Sequence, residues 1–111
     1  MLRTDLWVAA FVRRHNDIGH MCVVALKGDP IAGQIFIELD HLDGTVSLLT
    51  PAPAALRPEG EQDRLFQRRF DHAEPMKVSE RIAQERRFDP DLWVVSLELR
   101  RGEPGVTEVR V

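Results

Sequence analysis

The sequence predicts one α+β domain over residues 1–111: an N-terminal helix, an antiparallel sheet of five or six strands, and a second helix before the penultimate strand. Three observations carry that expectation. The chain has 111 residues and 43% hydrophobic content, the ordinary size and composition of one domain with a real core. Helix start and stop signals frame residues 4–16 and 75–87. Around them lie short apolar or alternating runs bounded by Gly, Pro and Asp, as strands are.

Thr4 or Asp5 suits a helix N-cap, and Leu6 to Asn16 reads as helix with Trp7, Ala10, Phe11 and Arg14 three and four apart. Arg13, Arg14 and His15 in its last turn suit the helix dipole, and Gly19 suits the stop. A buried strand is the competing reading of the apolar run Leu6–Val12, because periodicity alone does not separate the two. Met21–Lys27 carries a buried-strand pattern ended by Gly28-Asp29-Pro30. Gln34–Asp40 alternates, with Ile35, Ile37 and Leu39 on one face. Asp43-Gly44 then marks a tight hairpin turn with both positions at positive φ, and Thr45–Thr50 is the returning strand.

Pro51–Asp63, with Pro51, Pro53 and Pro58, is a long loop. Arg64–Asp71 alternates as a strand, although Phe66 and Phe70 also fit helical spacing. Pro75–Arg87 is the second helix, with Pro75 in the first turn and Val78, Ile82 and Ala83 as its apolar stripe. Asp89-Pro90 ends it. Leu92–Leu99 is a strand whose core face carries Trp93, Val95, Leu97 and Leu99, and Val106–Val111 is a short edge strand. Both helices are expected to pack on one face of the sheet.

Charged residues make up 30%, with 15 basic against 18 acidic and a net charge of −3. That balance excludes a disordered chain and a general nucleic-acid coat protein. One cysteine, Cys22, permits no intramolecular disulfide. The longest apolar run has seven residues where about 20 are needed to span a bilayer, and Arg13-Arg14 follow rather than precede it. A cytoplasmic protein without membrane attachment is expected.

Phe88-Asp89-Pro90-Asp91-Leu92-Trp93-Val94-Val95 resembles a small alphaproteobacterial family of single-domain proteins classed as a domain of unknown function. Leu2 to Ala10 resembles the start of that family, and Leu42-Asp43-Gly44-Thr45 and Pro51-Ala52-Pro53 resemble its middle. The likeness covers nearly the whole chain. It implies a stand-alone cytoplasmic protein and brings no activity, cofactor or site residues with it.

Chemistry is sparsely signalled. No Gly-rich phosphate loop and no Gly-x-Ser-x-Gly elbow occur, and the only serines are Ser47, Ser79 and Ser96. Cys22 reads as a small buried strand residue, with His20 two residues away on the same face. His20, Cys22 and His41 could meet across strands, but the short paired spacings of a zinc site are missing. His15, His20, His41 and His72 read as exposed loop and helix-end residues. Asp89 and Asp91 shape the turn at Pro90. No catalytic residue, metal or cofactor is nominated.

Thirteen of the fifteen basic residues are Arg, with adjacent pairs at 13–14, 68–69, 86–87 and 100–101. A GC-rich genome yields such usage, whereas the functional reading is anion recognition by the guanidinium fork. The expected function is a non-enzymatic domain that binds a protein partner or itself as a homo-oligomer, through free sheet edges such as Val106–Val111. The alternative is anionic-ligand or RNA binding by Arg13, Arg14, Arg86 and Arg87, brought together at the two helix ends. Against it, a helix C-terminus is the negative end of the dipole, where basic residues are explained by capping.

Overall fold

The computed structural model describes residues 2–61 and 63–110. Helix α1 runs Thr4–Asp17. The cap differs from expectation: Arg3, in extended conformation, is the N-cap and makes no side-chain cap bond. Thr4 is instead fully buried, and its hydroxyl donates to the Gly33 carbonyl at 2.9 Å, which fastens the helix start to the 28–33 loop. Asp5 supplies first-turn negative charge and pairs with Arg3 at 2.8 Å. Gly19 stops the helix as expected, at φ +91°, donating its N–H to the Asn16 carbonyl.

The strands are β1 (Cys22–Leu26), β2 (Ile35–Asp40), β3 (Val46–Pro51), β4 (Leu65–Ala73), β5 (Trp93–Glu98) and β6 (Thr107–Glu108), with α2 (Pro75–Phe88) between β4 and β5. They form one six-stranded sheet in the order β1-β5-β2-β3-β4-β6. The α+β class and the placement of both helices stand. The sheet is mixed rather than wholly antiparallel, because β5 lies parallel to β2 and β6 parallel to β4. Helix α2 supplies the crossover that lets the chain return to the far side of β2 in parallel. The last strand is two residues long, and Val111, the expected end of it, lies outside the described residues, as does Gln62 of the long loop.

The β2–β3 hairpin is present, but its turn is one residue longer than a two-residue Asp-Gly loop. His41 N–H closes on the Thr45 carbonyl at 3.1 Å, and positive φ falls on Leu42 and Gly44, not on Asp43. The Asp43 carboxylate instead accepts from the Thr45 N–H and hydroxyl. In the 51–63 segment, β3 extends through Pro51 and Ala54–Leu56 form a 3-10 turn.

The two helices lie on opposite faces, which corrects the expectation that they share one. Val8 and Phe11 of α1 pack with Ile35, Ile37, Leu39, Trp93, Val95 and Leu97. Val78 and Ile82 of α2 pack with the alternate residues Phe36, Val46, Leu48, Leu92 and Val94. Strands β2 and β5 are therefore buried on both sides, and the sheet holds two cores rather than one. Trp93 is on the α1 side as expected, 4% exposed, with its indole N–H donating to the Asp29 carbonyl at 2.7 Å.

Candidate functional site

The four nominated arginines do not come together. Arg13 and Arg14 end α1 on one face, and Arg86 and Arg87 end α2 on the other. Arg14 lies 5.5 Å above the Phe11 ring and donates to the Gly105 carbonyl. Of the remaining pairs, Arg68 and Arg69 line an open concavity of about 780 Å³ beside β6, but Arg68 is already held by Glu108 and Asp71. Arg86 has the more suggestive setting, at the rim of a groove.

That groove exists because α2 lies over β3 and β4 and leaves the β1 end of its face open. It measures about 280 Å³ and has Leu26, Ile82, Ala83 and Val94 as apolar walls, with Ser79, Ser96, Glu38 and Arg86 as its polar groups. Glu38 sits on β2 facing the groove, 3.5 Å from the Ser96 hydroxyl. Burial, reinforced by the neighbouring Asp40, pushes its carboxyl above the ordinary range against the pull of Ser96. A carboxyl of this kind favours a hydrogen-bond donor or a cation in the groove.

The groove is bordered by β1, an edge strand and not the buried strand that its sequence suggests. Val23 and Val24 are 47% and 41% exposed, and Met21 beside them is exposed as well. A bulge at Ala25 turns Leu26 onto the α2 face. The edge is half closed from within the molecule. The Asn16 carboxamide accepts from the Cys22 N–H at 3.0 Å and donates to the Cys22 carbonyl at 2.9 Å, filling the place a neighbouring strand would take. By strand alternation the next outward-facing backbone pair belongs to Val24.

The histidines form two stacked pairs rather than four exposed residues. His15 is buried, and its Nε2–H donates to the Pro104 carbonyl at 2.7 Å. Its Nδ1 then accepts from the His20 ring at 3.0 Å, so the two tautomers are fixed by one another. Burial holds His15 below the usual imidazole range. His41 and His72 stack at 3.7 Å beside a bulge where Ser47 of β3 faces both Asp71 and His72 of β4. His41 Nε2 lies 2.7 Å from the Ser47 hydroxyl, which also accepts the His72 N–H at 3.0 Å.

This resembles a nucleophile–base pair but does not function as one geometrically. Ser47 is completely buried, and Asp71 bonds His72 and Arg68 instead of orienting His41. The cluster braces the bulge, where His72 adopts φ +49°. Parallel stacked rings also cannot direct in-plane lone pairs at one metal ion, and among the described residues no three His, Cys, Asp or Glu side chains gather around a common point. Burial pushes the Cys22 thiol up to about 11, which keeps it protonated and unreactive.

Nothing in local sequence marks the groove, since its walls come from four separate elements. The doubly apolar β5 was the available signal, for it requires cover on both faces.

A mixed six-stranded sheet with one helix on each face, and a groove in place of a recognisable catalytic constellation, defines a small two-cored α+β protein. Residues 2–107 match the family described as protein of unknown function (DUF1491), and the chain belongs to that family. A crystal structure of a DUF1491 family protein from Caulobacter crescentus CB15 shares 32% identity and a TM-score of 0.78, covering 99% of this chain and 97% of that one. The solution structure of protein Atu0922 from A. tumefaciens also shares 32% identity, with a TM-score of 0.84 over 99% of this chain and 96% of its own. The comparison with curated proteins finds no match. The family relationship fixes the fold. Among the described residues, no helix is long and apolar enough to cross a membrane.

Proposed function

We propose that this protein is a non-enzymatic, cytoplasmic binding module that docks a protein surface, in the first instance a second copy of itself, on the open part of its α2 face. One observation carries the reading: α2 leaves the β1 end of that face uncovered, as an apolar groove of about 280 Å³ flanked by the exposed Val23. Contiguous exposed apolar surface rimmed by polar groups is the usual mark of a protein contact. Packing onto the face is favoured over continuation of the sheet, since Asn16 occupies one pairing position of β1 and the bulge at Ala25 distorts the next. Of the nominated arginines, Arg86 alone belongs to this surface.

Light scattering at micromolar concentration is expected to give the mass of two chains. A variant carrying Val23→Lys and Ala83→Arg, both at the groove and away from the α1 core, is expected to give one. A wild-type mass of one chain overturns the reading, as does a double variant that remains dimeric.

A further inference from the structure

A second feature, unconnected with the groove, surrounds Arg64 at the entry to β4. Charged side chains that leave bulk water are ordinarily paired, and two of the four half-buried guanidiniums here obey that rule. Arg68 holds Glu108 and Asp71, and Arg81 holds Glu85. Arg64 has no carboxylate partner among the described residues. Its terminal nitrogen donates to two neutral acceptors, the Leu2 carbonyl at 3.1 Å and the Thr4 hydroxyl at 3.0 Å. Its Nε is buried without a partner among the described residues.

Another cation without a carboxylate partner among the described residues faces it. Among the described residues Arg57 donates to the carbonyls of Glu61 and Asp63, at 3.1 and 2.8 Å. Burial, and after it the charge of Arg57, hold the Arg64 guanidinium below its ordinary range. The two side chains line one cavity of about 80 Å³, whose other walls are apolar, among them Ile35, Leu65 and Phe66. Among the described residues no acidic side chain lines it.

We propose that the Arg57–Arg64 cavity binds a compact oxyanion, the carboxylate or phosphoryl group of a small molecule. A negative group there relieves the repulsion between the two guanidiniums and takes donors that protein acceptors leave free, above all the Nε–H and second terminal nitrogen of Arg57, whose fork suits both chemistries. Apolar walls strengthen each of those contacts by excluding water. The volume admits one such group and little more, which limits the ligand to a small anion or the charged end of a slender one. The site uses none of the helix-end arginines.

The test follows the arginine Nε–Hε resonances of the ¹⁵N-labelled full chain at constant ionic strength, titrated with acetate, with inorganic phosphate, and with chloride as control. Saturable shifts of the Arg57 and Arg64 signals are expected with acetate or phosphate and not with chloride, and the effective anion identifies the ligand chemistry. Arg57→Gln is expected to weaken the response about tenfold, the loss of one charged hydrogen-bonding partner. Arg86→Gln is expected to leave it unchanged. Because Arg64 also fastens the start of α1, Arg57→Gln is the decisive variant. Shifts that fail to saturate, that spread equally over all arginines, or that survive Arg57→Gln overturn the proposal.

Discussion

On the α1 face, Trp7, Phe11 and His15 form a continuous ring contact, 5.2 and 4.6 Å between successive centroids, over β-strand residues that are almost wholly buried. On the α2 face, Val78 and Ile82 cover the middle of the same sheet, and Leu26 at its β1 side is only partly buried. The strands are common to both faces, so the difference lies in the helices. Helix α1 brings large aromatic groups that reach across the sheet. Helix α2 brings one narrow aliphatic stripe, which is enough to hold the helix and too little to seal the sheet. One face is therefore sealed, and the other keeps open the surface on which the proposed docking rests.

The sharpest way to break this comparison is at the sealed face. Trp93→Ala removes a buried ring and its bond to the Asp29 carbonyl, and is expected to cost about 3–5 kcal/mol in a urea melt. A loss under about 1 kcal/mol would show that the α1 core does not dominate. Ile82→Ala on the other face is expected to cost less, about 2 kcal/mol, because the residue retains some exposure beside a groove that can relax around the gap. Equal losses would mean that the two cores are equivalent.

The smallest effect separates the faces by pH. His15 is held below its unfolded value by burial, so the unfolded state binds more protons. Its contribution is present above about pH 6.5 and is lost as pH falls. Glu38 is held above its unfolded value, also by burial, so the folded state binds more protons, and stability is lost as pH rises past the usual carboxylate range. Urea midpoints should accordingly show the advantage of wild type over His15→Gln shrinking from pH 8 to pH 5. The advantage of Glu38→Gln over wild type should shrink as pH falls towards 4. Profiles parallel to wild type for both variants would remove burial as the controlling term.

Local sequence wrote the helices, the hairpin and the core position of Trp93 plainly, since breakers, helix-end charges and alternation act within a few residues. The family likeness was legible too, in the Phe88–Val95 motif. What local sequence did not write is pairing. The insertion of β5 between β1 and β2 depends on contacts between residues far apart in the chain, such as Ile35 with Trp93, 58 positions on, and Cys22 with Leu97, 75 positions on. Cys22–Leu26 looked buried because it is apolar, and only its place at the sheet edge exposes Val23 and Val24. The arginine pairs were visible as residues, but the faces on which they fall follow from the helices, which the topology sends to opposite sides. Arg57 and Arg64 carried no motif at all, and what joins them is the closing of the 51–63 segment.

The central position of β5 has a consequence for how the chain is made. Translation delivers β1, β2, β3 and β4 first, and of these only β2-β3-β4 are mutual neighbours. Strand β1 has no sheet partner until residues 93–98 emerge from the ribosome, because its one neighbour is β5. Both cores also wait for that strand, since Trp93, Val95 and Leu97 complete one and Leu92 and Val94 the other. A nascent chain halted at Pro90 holds a three-stranded meander with two apolar faces and a bare edge at β2, the kind of species that chaperones bind. Completion of the sheet thus waits for residues 93–98, with the slow search expected of a sheet built on distant contacts.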